Sequence, residues 1–280
     1  WSYDLDGRLL RTSSRRLPEG FRTEDYPLYP VAAAERGGCL FVNLAGPDAE
    51  PFDEMWGRDF AALAHWPLAD LQTGHTYEKT IACNWKIFWE NFGECLHCPG
   101  VHPDLCKLVP LYGRGLTDPR DDPDWVQHAD STDPKYAGGL RAGAASWSVD
   151  GQSYGAPFPQ LTPEEVAAGQ TFATSWPSVF VIAHVDYVRT VRLLPLGPDR
   201  AQLKAEWLFA RETLADPDFV PDTVTAFATQ VMEEDARVCA LNQAGLTARA
   251  HAAGVLMPEE HEVARFHAWV RDRLARDAAR

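Results

Sequence analysis

Short apolar alternations separated by glycine turns open the chain. Tyr3, Leu5, Leu9 and Leu10 flank the turn pair Asp6-Gly7, which predicts a hairpin over residues 1–10. A second strand pair is predicted around 30–34 and 39–44, joined by Arg36-Gly37-Gly38. Gly46-Pro47-Asp48 then breaks the chain, and residues 52–64 carry the spacing of a short amphipathic helix. A strand is expected over 75–83. From Asn84 a helical stretch runs through Trp85, Phe88, Trp89, Phe92 and Leu96 and is expected to stop at Pro99-Gly100. Residues 112–145 are rich in Asp, Pro and Gly and have no period, so long loops are expected there. Strands are predicted at 147–149, 179–188, 191–194 and 202–209, followed by helices over 222–246 and 258–276. Strands followed by long helices point to an α+β layer, with helices packed on an antiparallel sheet.

Composition narrows the functions open to such a fold. With 280 residues and 45% hydrophobic content the chain is long enough for a substantial core. A formal charge of −14, with no Lys/Arg-rich run, argues against nucleic acid and against anionic lipid surfaces. No apolar stretch approaches the roughly 20 residues that a membrane-crossing helix needs. Six cysteines, at 39, 83, 95, 98, 106 and 239, lack the density of a disulfide scaffold, so a reducing cytoplasm is expected. A first residue of Trp1, with no charged-then-apolar leader, reads as neither a native start nor a signal peptide.

The densest set of potential ligands is Glu94-Cys95-Leu96-His97-Cys98-Pro99-Gly100-Val101-His102-Pro103-Asp104. Imidazole is the commonest metal ligand among side chains, yet five residues along an unbroken helix turn the second ring away by roughly 140°. Pro99 and Gly100 end or bend the helix and let His102 swing back towards His97. Two imidazoles with a carboxylate form the facial set that leaves coordination positions open on iron. Asp235 is the best candidate acid. At 100° per residue it shares a helix face with Val231, Met232, Val238, Cys239 and Asn242, whereas Glu233 points nearly opposite and Glu234 is the adjacent alternative. Cys95-x2-Cys98 supplies half of a structural zinc pattern, but these cysteines read better as small buried hydrophobes. The other histidines, at 65, 75, 128, 184, 251, 261 and 267, read as ordinary core or surface residues.

Asn84-Trp85-Lys86, Glu90-Asn91-Phe92, Glu94-x-x-His97 and His97-x4-His102-Pro103 resemble the iron-site signature of Rieske non-haem iron oxygenase alpha subunits. The Glu-Asp-Ala run around Asp235 resembles that family's C-terminal carboxylate ligand, and residues 1–7 resemble the segment just after its cluster motif. The resemblance implies a helix-grip fold of the START/Bet v 1 kind, in which a curved antiparallel sheet grips a long C-terminal helix. It implies mononuclear Fe(II) on His97, His102 and Asp235, with Asn91 near the iron and Glu94 as an acid bridging subunits. It further implies a homotrimer in which a neighbour's Rieske [2Fe-2S] cluster delivers electrons from NAD(P)H through a reductase or ferredoxin. The Cys-x-His and Cys-x-x-His pairs that hold this cluster do not occur together in the 280 residues, so they are expected upstream. Residues 1–46 are then the remnant of the Rieske domain, and 47–280 the catalytic domain.

The implied reaction is hydroxylation or oxidative demethylation of a small organic substrate with O2. Within the family the chain looks most like the branch acting on glycine betaine and choline; aromatic hydroxylation is the alternative, and a catalytically silent START-like binding module is the rival from another class. A quaternary ammonium favours an aromatic box. A carboxylated aromatic favours an inward arginine such as Arg189 or Arg192.

Overall fold

The chain divides into two compact units, Trp1–Phe60 and Ala61–Arg280, of which the computed structural model describes residues 1–278. In the first unit, β1 (Ser2–Tyr3) pairs antiparallel with β2 (Leu9–Arg11), and β3 (Ala32–Arg36) with β4 (Cys39–Asn43). Arg36 faces Cys39, so the second turn holds only Gly37 and Gly38, at φ of 57° and 76°. A two-residue hairpin turn of this hand needs positive φ at both places, which glycine supplies without strain. In the same unit α1 (Phe52–Ala61) packs on the second hairpin. Phe41 meets the rings of Phe52 and Phe60, and the Arg36 guanidinium pairs with Asp53.

The second unit is built on a five-stranded, wholly antiparallel sheet of β5 (Gln72–Ile81), β6 (Gln170–Ser175), β7 (Val179–His184), β8 (Tyr187–Gly197) and β9 (Arg200–Phe209), in the order β5-β9-β8-β7-β6. Between β5 and β6 come α2 (Trp85–Phe92), α3 (Cys98–Val101), α4 (Pro103–Leu108) and three short helices, α5 (Trp125–His128), α6 (Pro134–Ala137) and α7 (Pro163–Ala168). After the sheet follow α8 (Arg211–Ala215), the long α9 (Asp222–Leu246) and α10 (His261–Ala278). Among the described residues no helix is long and apolar enough to cross a membrane.

Helix α9 has the bounds expected from its apolar spacing. Val224, Phe227, Ala228, Val231, Met232, Ala236 and Cys239 form its buried stripe at intervals of three and four, the period that places side chains on one face. The sheet's facing side is as apolar: Tyr187, Val191 and Leu193 of β8 and Leu203, Ala205, Trp207 and Phe209 of β9 are all almost fully buried. Gly74 sits at a bulge between β5 and β9, where a Cβ would come within 2.7 Å of Phe209 and 2.6 Å of Leu214. The result is the expected α+β fold, a mixed assembly of helices on an antiparallel sheet with no closed barrel.

Three strand expectations change. Residues 147–149 are not a strand; the backbone there is tied down irregularly, with Tyr187 donating to the Trp147 carbonyl and Ser146 Oγ donating to Asp186. The stretch 179–188 is two strands, because Asp186 turns the chain while accepting bonds from Ser146 Oγ and the amides of Tyr154 and Gly155. Strand β6 went unpredicted.

Helix α10 is fixed by one ring. Phe266 is 1% exposed and packs against Trp85, Trp89, Trp176 and Trp269, with centroids 5.4–6.4 Å away. Phe266→Ala should therefore lower unfolding free energy by about 3–5 kcal/mol in urea or guanidinium titrations, the usual cost of removing a buried phenyl ring. A loss below about 1 kcal/mol would mean that α10 is not docked through this ring.

Candidate metal centre

Asn84 starts α2 by accepting the Lys86 amide through its side chain, and Gly93 ends it. The helix thus stops six residues before Pro99, earlier than expected, and residues 94–97 cross to α3 without helical pairing. Pro99 lies in the first turn of α3, where its missing amide costs nothing, rather than closing α2. His102 stands at the junction of α3 and α4, at φ −120° and ψ 64°, and Pro103 begins the next helix. This break–turn–break path brings the two imidazoles together, with ring centroids 5.2 Å apart.

Cys95 and Cys98 are joined by a disulfide across this path, contrary to the expectation of two separate thiols. Both are buried, as expected of small apolar residues, and the bridge takes their thiolates out of the donor set. The zinc reading loses its sulfur ligands. Cys83 and Cys239 are buried thiols hydrogen-bonded to each other.

Helix α9 turns Asp235 inward, and one donor atom from each of His97, His102 and Asp235 falls within 4.8 Å of the others. His102 Nε2 lies 2.9 Å and His97 Nε2 3.5 Å from Asp235 Oδ1, which also accepts a 2.7 Å bond from Asn91 Nδ2. Each ring is held from behind. His97 Nδ1–H donates to Glu94 at 2.5 Å and His102 Nδ1–H to Glu234 at 2.7 Å, so both Nε2 atoms face the centre. Carboxylates behind ligand imidazoles fix ring orientation and raise basicity. Glu94 is itself held by the amides of Leu96 and His97, and Glu234 by Gln230 Nε2 at 3.0 Å. Glu233 points away, as expected, to Tyr77 and Lys79. Glu234, the adjacent alternative to Asp235 in the sequence, instead holds the His102 ring from behind; its position one residue, or 100°, before Asp235 places it at the flank of the same face.

Charge shapes the site. Burial works against an imidazolium at His97, but Asp235 and Glu94 outweigh it and raise the ring to about 9. His102 is raised in the same way by Asp235 and Glu234. Burial alone would raise Asp235, yet the two imidazoles and Asn91 hold it down at about 2. Surroundings that favour a proton on these rings also favour a metal cation between them. Two imidazoles and one carboxylate, with no sulfur within the set, fit a divalent iron that keeps coordination positions open. A cavity of about 230 Å³ opens beside Asn91, Glu94 and His97, with Val238, Asn242 and His267 on its other walls.

On the sheet side, Arg189 points inward and is 3% exposed, whereas Arg192 is exposed. His184 is fully buried and stacks on Tyr187, in keeping with a core residue. Burial, then the nearby Arg189 charge, pushes its pKa well down, so the ring is neutral.

Helices on an antiparallel sheet thus bring two imidazoles and a carboxylate together between α3–α4 and α9, a donor set able to hold one metal ion. Residues 68–276 match the model for the catalytic domain of the ring hydroxylating alpha subunit, and the chain belongs to that family. It is 27% identical over 91% of its length to the glycine betaine monooxygenase oxygenase subunit of Chromohalobacter salexigens, and 24% identical over 98% to the chloroplastic choline monooxygenase of Beta vulgaris. It spans 60% and 57% of the lengths of these relatives. Its fold resembles the quaternary ammonium Rieske monooxygenase CntA solved with L-carnitine, at a TM-score of 0.60 and 18% identity, covering 96% of this chain and 68% of that one.

The donor geometry sets an order of effects on metal affinity. Asp235→Ala should abolish tight binding of mononuclear iron, measured by chelator competition. Asn91→Ala, which frees the carboxylate from its 2.7 Å bond, should weaken binding by about 10–100-fold. Cys95→Ser should retain the metal. Loss of iron in the Cys95 variant alone would move the site from the histidines to sulfur.

Proposed function

We propose that this chain is the catalytic part of a Rieske-type oxygenase alpha subunit that hydroxylates or oxidatively demethylates a small quaternary ammonium compound. The convergence of His97, His102 and Asp235 carries this reading. Fe(II) on these three residues would supply dioxygen activation, with electrons reaching it from NAD(P)H through a reductase or ferredoxin and a Rieske [2Fe-2S] cluster. The chain's own part is to hold the donors. Glu94 and Glu234 orient the rings, Asn91 orients the Asp235 carboxylate, and the apolar faces of α9 and the sheet limit access of water.

Support for an adjoining β layer comes from exposed apolar residues of the first unit, among them Leu40 and Val42 of β4. We read residues 1–46 as the end of a cluster domain. The half-buried Glu94, on the wall of the cavity beside His97, fits a bridge to a neighbouring subunit in a homotrimer. A cytoplasmic setting, where a reductase supplies electrons, completes the proposal. Retention of the full donor set argues against a silent binding module.

The test uses the full-length protein with its reductase, NAD(P)H and a panel of N-methylated ammonium compounds and aromatic acids. Oxygen uptake coupled to product should appear with the ammonium compounds. Oxidation of aromatic acids alone would replace this substrate class, and turnover of neither would favour the binding module.

Glu94→Gln separates ring orientation from metal retention. The amide is isosteric but lacks the anionic acceptor for the His97 Nδ1–H, so iron should remain while reductase-driven turnover falls by about 100-fold or more. Wild-type turnover in this variant removes Glu94 from the mechanism.

A further inference from the structure

The inner face of the sheet carries a buried cation with no acceptor in contact. Arg189 of β8 stands in register with Ile182 of β7 and Trp207 of β9. Its guanidinium lies 5.8 Å from the Trp147 ring and 5.9 Å from the Trp207 ring. Neither Nε nor Nη1 of Arg189 has a hydrogen-bond partner, and the indole N–H groups of Trp147 and Trp207 have none either. Guanidinium and indole nitrogens are donors only. Buried polar groups are nearly always paired, and here donors are in excess among the unpaired groups, because His184, whose two ring nitrogens are also unpartnered, offers a single acceptor. The missing partner is an acceptor and, beside a fixed positive charge, an anionic one.

The chain's own carboxylates do not fill this role. Asp186 is taken up by Ser146 Oγ and the amides of Tyr154 and Gly155. Asp235 bonds Asn91 and His102; burial lowers the pKa of Arg189, and Tyr187 and then Asp235 offset this only in part. Arg189 is therefore within electrostatic reach of Asp235, one of the proposed metal donors. The flanking indoles also bear on polarity: their faces already carry the guanidinium, so a second cation there would meet like charge.

We infer that Arg189, with the indole N–H groups of Trp147 and Trp207, binds a carboxylate of the organic substrate and so selects carboxylate-bearing substrates over their neutral or alcohol counterparts. This rests on the oxygenase reading above and names the substrate class more narrowly. A carboxylate seated there directs the rest of the substrate towards His97, His102 and Asp235. An alcohol in its place leaves the guanidinium without a counter-charge. Charge-assisted hydrogen bonds of this kind set a preference of about 10–100-fold in affinity.

The test measures binding of matched pairs to the iron-loaded, full-length protein by calorimetry: glycine betaine against choline, and benzoate against benzyl alcohol. In whichever pair binds, the carboxylate should bind at least about 10-fold tighter. Arg189→Gln should abolish the preference, Arg189→Lys should keep part of it, and Arg192→Gln, altered at an exposed position, should keep all of it. If Arg189→Gln does not fold, the wild-type pairs still decide the matter, read as the difference in thermal shift between carboxylate and alcohol. Equal affinities within the pairs, or a preference that survives in folded Arg189→Gln, overturns the inference. Oxidation of choline as readily as of betaine also overturns it, while leaving the oxygenase reading intact. Arg189-dependent carboxylate binding without oxygen consumption supports the anchor and counts against the oxygenase reading.

Discussion

One carboxylate organises the second unit. Asp235 lies on the inward face of α9, where an unpaired negative charge would be expensive, and its three partners come from different segments. Asn91 belongs to α2, His97 to the crossing after it, and His102 to the junction of α3 and α4. The phase of α9, the end of α2 at Gly93 and the turn around Pro99 are all needed for these groups to meet at one oxygen. Any one of them shifted by a residue would rotate a partner by about 100° and leave a buried charge unpaired.

The outer carboxylates make that arrangement stiff. Glu94 and Glu234 approach from opposite elements and each takes the Nδ1–H of one ring, so the two imidazoles have little freedom to turn. Three carboxylates around two imidazoles give the centre a net preference for positive charge. That bias lies in helices and in the crossing between them, which the disulfide closes into a short loop. The sheet contributes nothing to the donor set and is free to carry other polar groups.

The parts legible in the sequence were those with a local signal. The period of residues 222–246 gave α9 and its inward acid, and the Gly37-Gly38 pair marked a turn whose two positions both need positive φ. His97 and His102 were legible because a proline and a glycine between them break helical spacing, although the break falls at Gly93 and Pro99 begins a helix. The misses share a cause in tertiary contacts. Residues 147–149 have strand-like composition but are held irregularly by Asp186 and Tyr187, which lie about 40 positions away in sequence. The turn at Asp186 contains neither glycine nor proline, and its stabilising donors come from residues 146, 154 and 155. The Cys95–Cys98 bridge was not readable either, since a two-residue spacing serves a metal and a disulfide equally.

Arg189 shows why polar residues within strands resist reading from sequence. Flanked by Val188 and Thr190, it falls in the gap between two expected strands, and the sequence offers it as an inward arginine only on equal terms with Arg192. Its side of the sheet is set only by register: Ile182 and Trp207 lie beside it on neighbouring strands, and both are buried. Fixed there, it stands on a different element from every proposed metal donor. On the readings proposed above, a change at Arg189 would alter recognition without moving the histidines, and a change at Glu94 would alter the metal site without moving the arginine. The sheet and the helical crossing are linked through Asp235, which accepts a bond from His102 and acts electrostatically on Arg189.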